Sequence, residues 1–481
     1  MAKKKTKKKM KIVYIIVSII LAILMAINSF LIFKYDVLPV KYLTAFIFIV
    51  DILPIFFIFF MIKKNIIKPV KVFSLIVSII YIIILSFSFF YLNKTFNFID
   101  SLNDNLHQKE DYYIKVLENS DIKDIASLKG KKIGIYKNSS YDDLVKLLEK
   151  KVSVEAISYD DPIKLFEDLQ ENKIDAILLN DTILGLLETE LSYMKLKLKN
   201  VDVISVSLKN NSNDIVKIVD VTNTPFNIYI AGGDAFGSID KVMNTDVNMI
   251  VSINPNTHQI LLTSIPRDYY VLLPGQGENA YDKLTHAGYY GVEESVLAIE
   301  NLLDIDINYY AKINFSTIEK VVDAIGGVDV NSDFKFCQDG STTMCYKKGI
   351  NHLTKDTVLP FARERHAFKD GDVQRVKNQQ KVLEAIVDKI SSSKTLILSY
   401  TDILDAISSS FLTNIDTKSI SRLVKLQLND MPKWEFETQN LTGYDGSARC
   451  YSIPSMELYV MKQDSESVKN SKEKIEQFFK K

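Results

Sequence analysis

The sequence is poor in cysteine, with three in 481 residues, too few for a disulfide-dense scaffold. It has no excess charge of either sign, with 59 Lys plus Arg against 59 Asp plus Glu. Arginine is scarce, six residues against 53 lysines. The five histidines show no metal-ligand spacing. Hydrophobic residues at 47% and charged residues at 25% exclude a wholly disordered or collagen-like chain, and the length predicts about three domains. The zero charge is a sum over two unlike parts. Residues 1–92 carry 13 lysines and two acids, Asp36 and Asp51, a net of +11, and residues 93–481 carry the balancing −11. A uniformly neutral soluble protein is excluded.

Long apolar runs are present: Ile12–Phe33, Tyr42–Ile62 and Val72–Leu92. Each is as long as the roughly 20 residues that cross a ~30 Å hydrocarbon core as helix. The second contains Asp51 and Pro54; the other two contain no charge. Their length and crowding argue against buried soluble helices, and the two runs that follow the first argue against a cleaved signal peptide. Seven lysines lie in residues 3–11, and Lys63, Lys64, Lys68 and Lys71 lie between the second and third runs. Lysine-rich segments stay in the cytoplasm. The reading is a basic cytoplasmic tail (1–11), three transmembrane helices (12–92) in a cell membrane, and residues 93–481 outside the cell. Asp51, half-way along its span, is read as a helix-packing residue, with a functional intramembrane acid as the alternative.

Residues 93–119 read as a helical or loose stem. In 120–221, strands at Lys131–Tyr136, Val152–Ser158 and Ile174–Leu179 alternate with helices at Tyr141–Lys151 and Pro162–Asn172. That pattern predicts a small parallel-sheet accessory domain. Its start, Leu128-Lys-Gly-Lys-Lys-Ile-Gly-Ile135, resembles one lobe of periplasmic solute-binding proteins. Asn138-Ser139-Ser140 is either a helix cap or an anion site. A Thr222-Asn-Thr-Pro225 turn opens a second domain, 222–440. Apolar strands at Phe226–Ala231, Val247–Ile253 and Ile260–Ile265 suit a sheet buried on both faces, with Asn254-Pro-Asn-Thr257 making the last two a hairpin. Helices are expected at Glu293–Leu303, Ser316–Ile325 and Asp372–Ile390, giving an α/β/α domain with a central sheet. Residues 441–481 read as a tail ending in a helix, Ser465–Lys481.

Four of the six arginines, Arg267, Arg363, Arg365 and Arg375, lie in three short segments with carboxylates or amides nearby. A planar guanidinium holds phosphate through two parallel hydrogen bonds, which an ammonium cannot reproduce. These segments are read as a phosphate site. Arg267 follows the end of an apolar strand, where open α/β sheets bind ligands. Arg363 and Arg365 share a face if their segment is extended, and Pro360 argues against a helix running through from residue 356. Asp372, Arg375 and Gln379, spaced i, i+3, i+7, line one helix face. Asp234 and Asp246 flank neighbouring strands and can hold Mg²⁺, which takes oxygen ligands. Each element also has a structural reading: Arg267 with Asp268 as a surface ion pair, Arg363-Glu-Arg365 as a solvated charge run, Asp234 as a turn cap beside Gly232-Gly233.

At these residues the sequence resembles the LytR-CpsA-Psr family of cell-wall glycopolymer transferases. The blocks that carry the resemblance run from about Phe226 to Ile390: Gly233-Asp234, Thr245-Asp246, Asn254-Pro255, Leu262-Thr-Ser-Ile-Pro-Arg-Asp268, Asp282-Lys-Leu-Thr-His286, Val322-Asp-Ala-Ile-Gly-Gly-Val328, Phe361-Ala-Arg-Glu-Arg365, Asp372-Val-Gln-Arg375 and Asn378-Gln-Gln380. The resemblance implies a phosphotransferase that moves a phosphate-linked glycopolymer from a polyprenyl (undecaprenyl) diphosphate carrier to a peptidoglycan hydroxyl. Teichoic acid and capsular polysaccharide are the kinds of glycopolymer it suggests. It matches Asp234 and Asp246 to acids that bind Mg²⁺, with Mn²⁺ as a substitute. It matches Arg267, Arg363, Arg365, Arg375 and Gln379 to the groups that clamp the diphosphate, gives Asp372 a supporting place and makes Asp234 a possible base. An apolar tunnel for the lipid is implied in the core. One departure stands out: the family commonly has an arginine where this chain has Asn244, and Lys241 is the replacement cation at hand.

Cys337 and Cys345 form either a disulfide or two thiols in one loop, leaving Cys450 unpaired. His286 and His366 are read as structural. The alternatives to transfer are a polyprenyl diphosphate hydrolase and a non-catalytic regulator of envelope assembly. No helix-turn-helix accompanies the short cytoplasmic tail, so no nucleic-acid partner is expected.

Overall fold

The computed structural model describes residues 2–104, 109–137, 141–190, 197–207, 217–233, 244–369, 371–391, 400–408 and 411–481. They fall into two units. The first holds residues 1–103, 220–222 and 415–433. Its helices Lys9–Tyr35, Val40–Ile62 and Lys68–Ser101 are long and apolar enough to cross a membrane. Small and polar side chains face inward between them: Ser18, Asn28, Ser74 and Ser78 are buried. Asn28 donates to the Leu24 carbonyl within its own helix and to the Leu85 carbonyl of the third helix. Asp51 accepts from Ser29 Oγ at 2.7 Å, so it has a partner on the neighbouring helix. It sits in a π-helical turn, Ile47–Ile52, just before Pro54. Proline lacks an N–H and crowds the carbonyl four residues back, and a widened turn relieves that clash.

A further helix, Thr417–Asp430, belongs to this unit. Its N-cap Asp416 accepts from Ser419 N. Its Ile420 packs with Ile32, Tyr35, Phe96 and Ile99, and Lys425 bonds both carboxylate oxygens of Asp36 at 2.9 and 3.0 Å.

The second unit holds residues 104–219, 223–414 and 434–481. Its first sheet has strands β1 (Lys109–Leu117), β2 (Lys132–Tyr136), β3 (Glu155–Tyr159), β4 (Ala176–Asn180) and β5 (Leu198–Ser207) in the order β3-β2-β4-β1-β5. β3, β2 and β4 are parallel, as the sequence suggests. β1 adds antiparallel to β4, and β5 antiparallel to β1. β1 lies in the segment read as stem, and its charges are why it was hard to see. Glu110 and Lys115 are buried but satisfied, Glu110 by Tyr112 and Asn180, Lys115 by Asn200. Gly134 lets the helix Pro162–Gln170 lie close on β2, since a Cβ there would stand 2.3 Å from Leu165 Cδ1.

The second sheet carries the site. It comprises β6 (Phe226–Gly233), β7 (Val247–Asn254), β8 (Gln259–Ile265), β11 (Tyr309–Asn314), β16 (Phe411–Thr413) and β17 (Glu435–Asn440), in the order β16-β11-β6-β7-β8-β17. The short strands β9 (Tyr270–Leu272) and β10 (Tyr281–Lys283) pair beside it, and β12 to β15 (328–332, 336–337, 345–346, 349–353) form two small ribbons. β7 and β8 are the expected hairpin. On one face Tyr229, Ile250 and Leu261 pack with Val296 and Ile299 of the helix Val292–Leu303 and with Ile475 and Phe478 of the helix Ser465–Lys480. On the other, Met249, Ile260 and Leu262 pack with Leu383 of the helix Gly371–Ser391. This is the expected α/β/α arrangement.

The segment after Asn440 is part of this fold. β18 (Gly443–Cys450) and β19 (Ile453–Gln463) form a hairpin whose Cys450, Ile453, Leu458 and Val460 pack with Tyr136, Phe166 and Leu186 of the first sheet's layer and with Tyr289. The helix Lys355–Arg363 runs through Pro360, against expectation. Its start is held by a Thr354–Thr357 capping box, and Val358, Phe361 and Ala362 are buried in a core with Val321, Val322 and Val382. That burial outweighs the loss of one helix hydrogen bond.

Candidate active site

The β7–β8 register places Asn248 opposite Ile265. Asp246 and Arg267, each two residues beyond that pair, therefore meet at the strand ends. Arg267 Nη1 lies 2.8 Å from Asp246 Oδ1, and its Nε 3.4 Å from Asp268 Oδ2. The pair is partly buried, not a surface contact: the Arg267 side chain is 30% exposed.

Arg363 is the last residue of its helix, and Glu364 leaves in extended conformation, with φ −64° and ψ 132°. Glu364 is buried and pins the turn, accepting from Asp339 N and Ala367 N at 2.7 and 2.9 Å. The chain can thus aim both Arg363 and Arg365 at one place despite the preceding helix. The Arg363 guanidinium stacks over Phe315 at 4.8 Å, and Arg365 Nε donates to His366 Nε2. Arg375 and Gln379 sit four apart on the helix Gly371–Ser391, hence on one face. That helix is tied to the end of β8 by Gln380, which donates to Ser264 Oγ and Asn440 Oδ1 at 3.0 Å each. Asn378 ties it to Phe361.

These elements surround a polar cavity of about 300 Å³. Asp246, Arg267, Arg363, Arg365, Arg375 and Gln379 all line it, with Phe315, Gln338, Asp339, Glu364 and His366. Gln338 and Asp339 are carried by the loop that the Cys337–Cys345 disulfide closes, so the bridged alternative is the one found. A second cavity of about 330 Å³ shares Asp246, Arg267 and Arg365. It adds Asn244, Asp268, Lys283, Thr285, His286, Tyr289 and Tyr459. Asn244 Oδ1 is buried with no hydrogen-bond partner among the described residues.

Asp234 and Lys241 lie outside the described residues, and of Asp372 only the backbone, in the helix Gly371–Ser391, is described. Asn138, Ser139 and Ser140 also lie outside them. Among the described residues, Asp246 offers hard carboxylate oxygens on the wall shared by both cavities, donors that suit Mg²⁺.

Sequence reasoning missed the second cavity and the cluster behind it. Asp282 is fully buried, its Oδ1 2.6 Å from His286 Nδ1 and its Oδ2 accepting from Ser452 N at 2.7 Å. Burial alone pushes the Asp282 carboxyl up, but His286 and Ser452 overcome that and hold it below the ordinary value. Cys450, the free thiol, completes the cluster; burial pushes it up, as does Asp282. The i, i+4 spacing of Asp282 and His286 was visible, but Ser452 comes from a hairpin 170 residues later.

Comparison with known proteins bears out the family resemblance. Residues 191–475 match the LytR_cpsA_psr family. A relative named polyisoprenyl-teichoic acid--peptidoglycan teichoic acid transferase TagU, from Bacillus cereus (strain AH820), is 37% identical over 208 residues, 43% of this chain and 65% of its own length. The chain thus spans just under two thirds of that relative. The protein of the same name from Enterococcus faecalis (strain ATCC 700802 / V583) is 30% identical over 252 residues, 52% of this chain and 81% of its own length. The crystal structure of B. subtilis TagV aligns with 25% identity and a TM-score of 0.43, covering 54% of this chain and 98% of that one. The family match covers more than half of the sequence, and the chain belongs to the LytR_cpsA_psr family.

Proposed function

We propose that the protein is a membrane-anchored phosphotransferase that works outside the cell, moving a phosphate-linked glycopolymer from a polyprenyl diphosphate carrier to a peptidoglycan hydroxyl. One observation carries the reading: four of six arginines, Arg267 from one strand end and the others from the 363–375 region about a hundred residues later, line one small polar cavity with Gln379 and Asp246. Three carboxylates, Asp246, Asp339 and Glu364, line the same cavity and leave the arginines in the majority, and guanidinium forks suit the oxygens of a diphosphate. Phosphoryl transfer asks mainly for positioning and charge neutralisation. The arginine forks would hold both phosphates and stabilise charge gathering on the bridging oxygen as polyprenyl phosphate departs. Asp246, with Asp234 as its proposed partner, would hold Mg²⁺ or Mn²⁺, which supplies further neutralisation of the phosphate oxygens when bound. The relatives named above, which are teichoic acid transferases, support the substrate class. The lysine partition of the first 92 residues supports an external site.

The test is to incubate the full-length protein in detergent with a lipid-diphosphate glycan, Mg²⁺ and nascent peptidoglycan. Glycan joined to peptidoglycan through a phosphodiester is the expected product. Free phosphorylated glycan without attachment would instead mean a hydrolase, and lipid binding with neither product a regulator.

A further inference from the structure

The second cavity holds an ionisable group with the geometry of a base. The His286 side chain is 3% exposed, yet it lines that cavity. Its Nδ1 is 2.6 Å from Asp282 Oδ1 and 3.1 Å from Ser452 Oγ. Asp282 also accepts from Lys283 N and Ser452 N, both at 2.7 Å. A carboxylate so placed fixes the tautomer: Nδ1 carries the hydrogen, and Nε2 is the basic nitrogen. Tyr289 stacks on the imidazole at 5.2 Å and 23°, which sets the ring plane. The Nδ1 edge is turned to buried Asp282 and Ser452, and the residue lines the cavity. Asp246, Arg267 and Arg365 form the wall common to both cavities, so a hydroxyl in the second would lie beside a phosphate held in the first.

Resting on the phosphotransfer reading above, we propose that the second cavity is the subsite for the acceptor sugar and that His286, oriented by Asp282, is the general base for its hydroxyl. The acceptor oxygen forms a bond to the sugar-side phosphorus while its proton passes to Nε2. The bond from that phosphorus to the bridging oxygen breaks, and polyprenyl phosphate leaves with the electron pair. The imidazolium then releases its proton to water. Such a base contributes typically ~10²–10⁴-fold. Around the ring, Asp282, Lys283, Tyr289 and Cys450 stand on its own segment and on the hairpin. Asp246, Asp268, Arg267, Arg365 and Tyr459 line the same cavity. Asp282, the carboxylate in direct contact, favours the imidazolium, while the cations oppose it.

The experiment measures transfer by the full-length protein against pH with a saturating lipid-diphosphate glycan and varied acceptor, for the wild type, His286→Asn and Asp282→Asn. Asparagine at 286 keeps a donor where Nδ1–H stood and removes Nε2. The proposal expects an acid limb in the wild-type profile between about pH 5 and 8 and a loss of at least about 100-fold in kcat with its disappearance in His286→Asn. Binding of the donor lipid stays unchanged. In Asp282→Asn the limb moves to lower pH, because the carboxylate that favours the imidazolium is gone. A His286→Asn variant that is folded and transfers within threefold of the wild type, or keeps the limb at the same pH, overturns the assignment. Should that variant not fold, a wild-type profile without an acid limb overturns it by itself. If the wild type attaches no glycan at all, the phosphotransfer reading has failed, which is distinguishable from failure of the base.

Discussion

Arg267 and Asp246 meet because a hairpin register places them across from each other, and Arg363 and Arg365 converge because a buried glutamate turns the chain between them. The proposed clamp depends on the planar fork of arginine and not on charge alone. Arg267→Lys and Arg363→Lys should each lower transfer by about 10²-fold, while circular dichroism stays unchanged; full activity in both would sink the clamp. A second residue-level prediction concerns Asp168 in the first sheet's layer. Lys164 donates to it, as do Tyr159 and Lys173, and together they hold its carboxyl down at about 2. A depressed folded value gives stability that is complete above the ordinary value of 3.8 and lost as pH falls toward about 2. Asp168→Asn should cost about 1.5–3 kcal/mol at pH 7 and flatten the acid limb of urea unfolding. At this scale the gathering of arginines around one cavity was legible because arginine is rare in a lysine-rich chain, so each one marks a position. The Asp282–His286 pair was not legible as a functional unit, because its meaning depends on Ser452 and on a cavity assembled by tertiary packing.

Among elements, the legible ones were those with clean apolar runs: β6, β7 and β8 lie within two residues of their expected bounds. β1 was hidden because its buried charges find partners only once β4 and β5 are in place. The helix Ser465–Lys480 is expected from the sequence, but not its role, since only Val468, Ile475, Phe478 and Phe479 mark an apolar face in a polar segment. Phe478→Ala should destabilise the sheet domain by about 3–5 kcal/mol in chemical denaturation; a loss under 1 kcal/mol would mean the helix is dispensable. The disulfide closes a separation of 8 residues around Gln338 and Asp339. Replacing Cys337 and Cys345 together by serine should lower stability by about 2–3 kcal/mol on loop entropy, read as a fall in Tm.

For the whole molecule, the zero net charge resolves into +11 over residues 1–92 and −11 over the rest. Three helices fit to cross a membrane occupy the first part. The positive-inside asymmetry predicts that a membrane-impermeant probe reaches the C-terminus in intact cells; labelling only after lysis would reverse the topology and remove the proposed substrate. The account turns on where one phosphorus goes. A donor lipid carrying ³²P in the sugar-side phosphate, incubated with the full-length protein and peptidoglycan, measures this directly. The expected result is label covalently bound to peptidoglycan together with its glycan, and unlabelled polyprenyl phosphate released. Label in the polyprenyl fraction, or glycan on peptidoglycan without label, would contradict it.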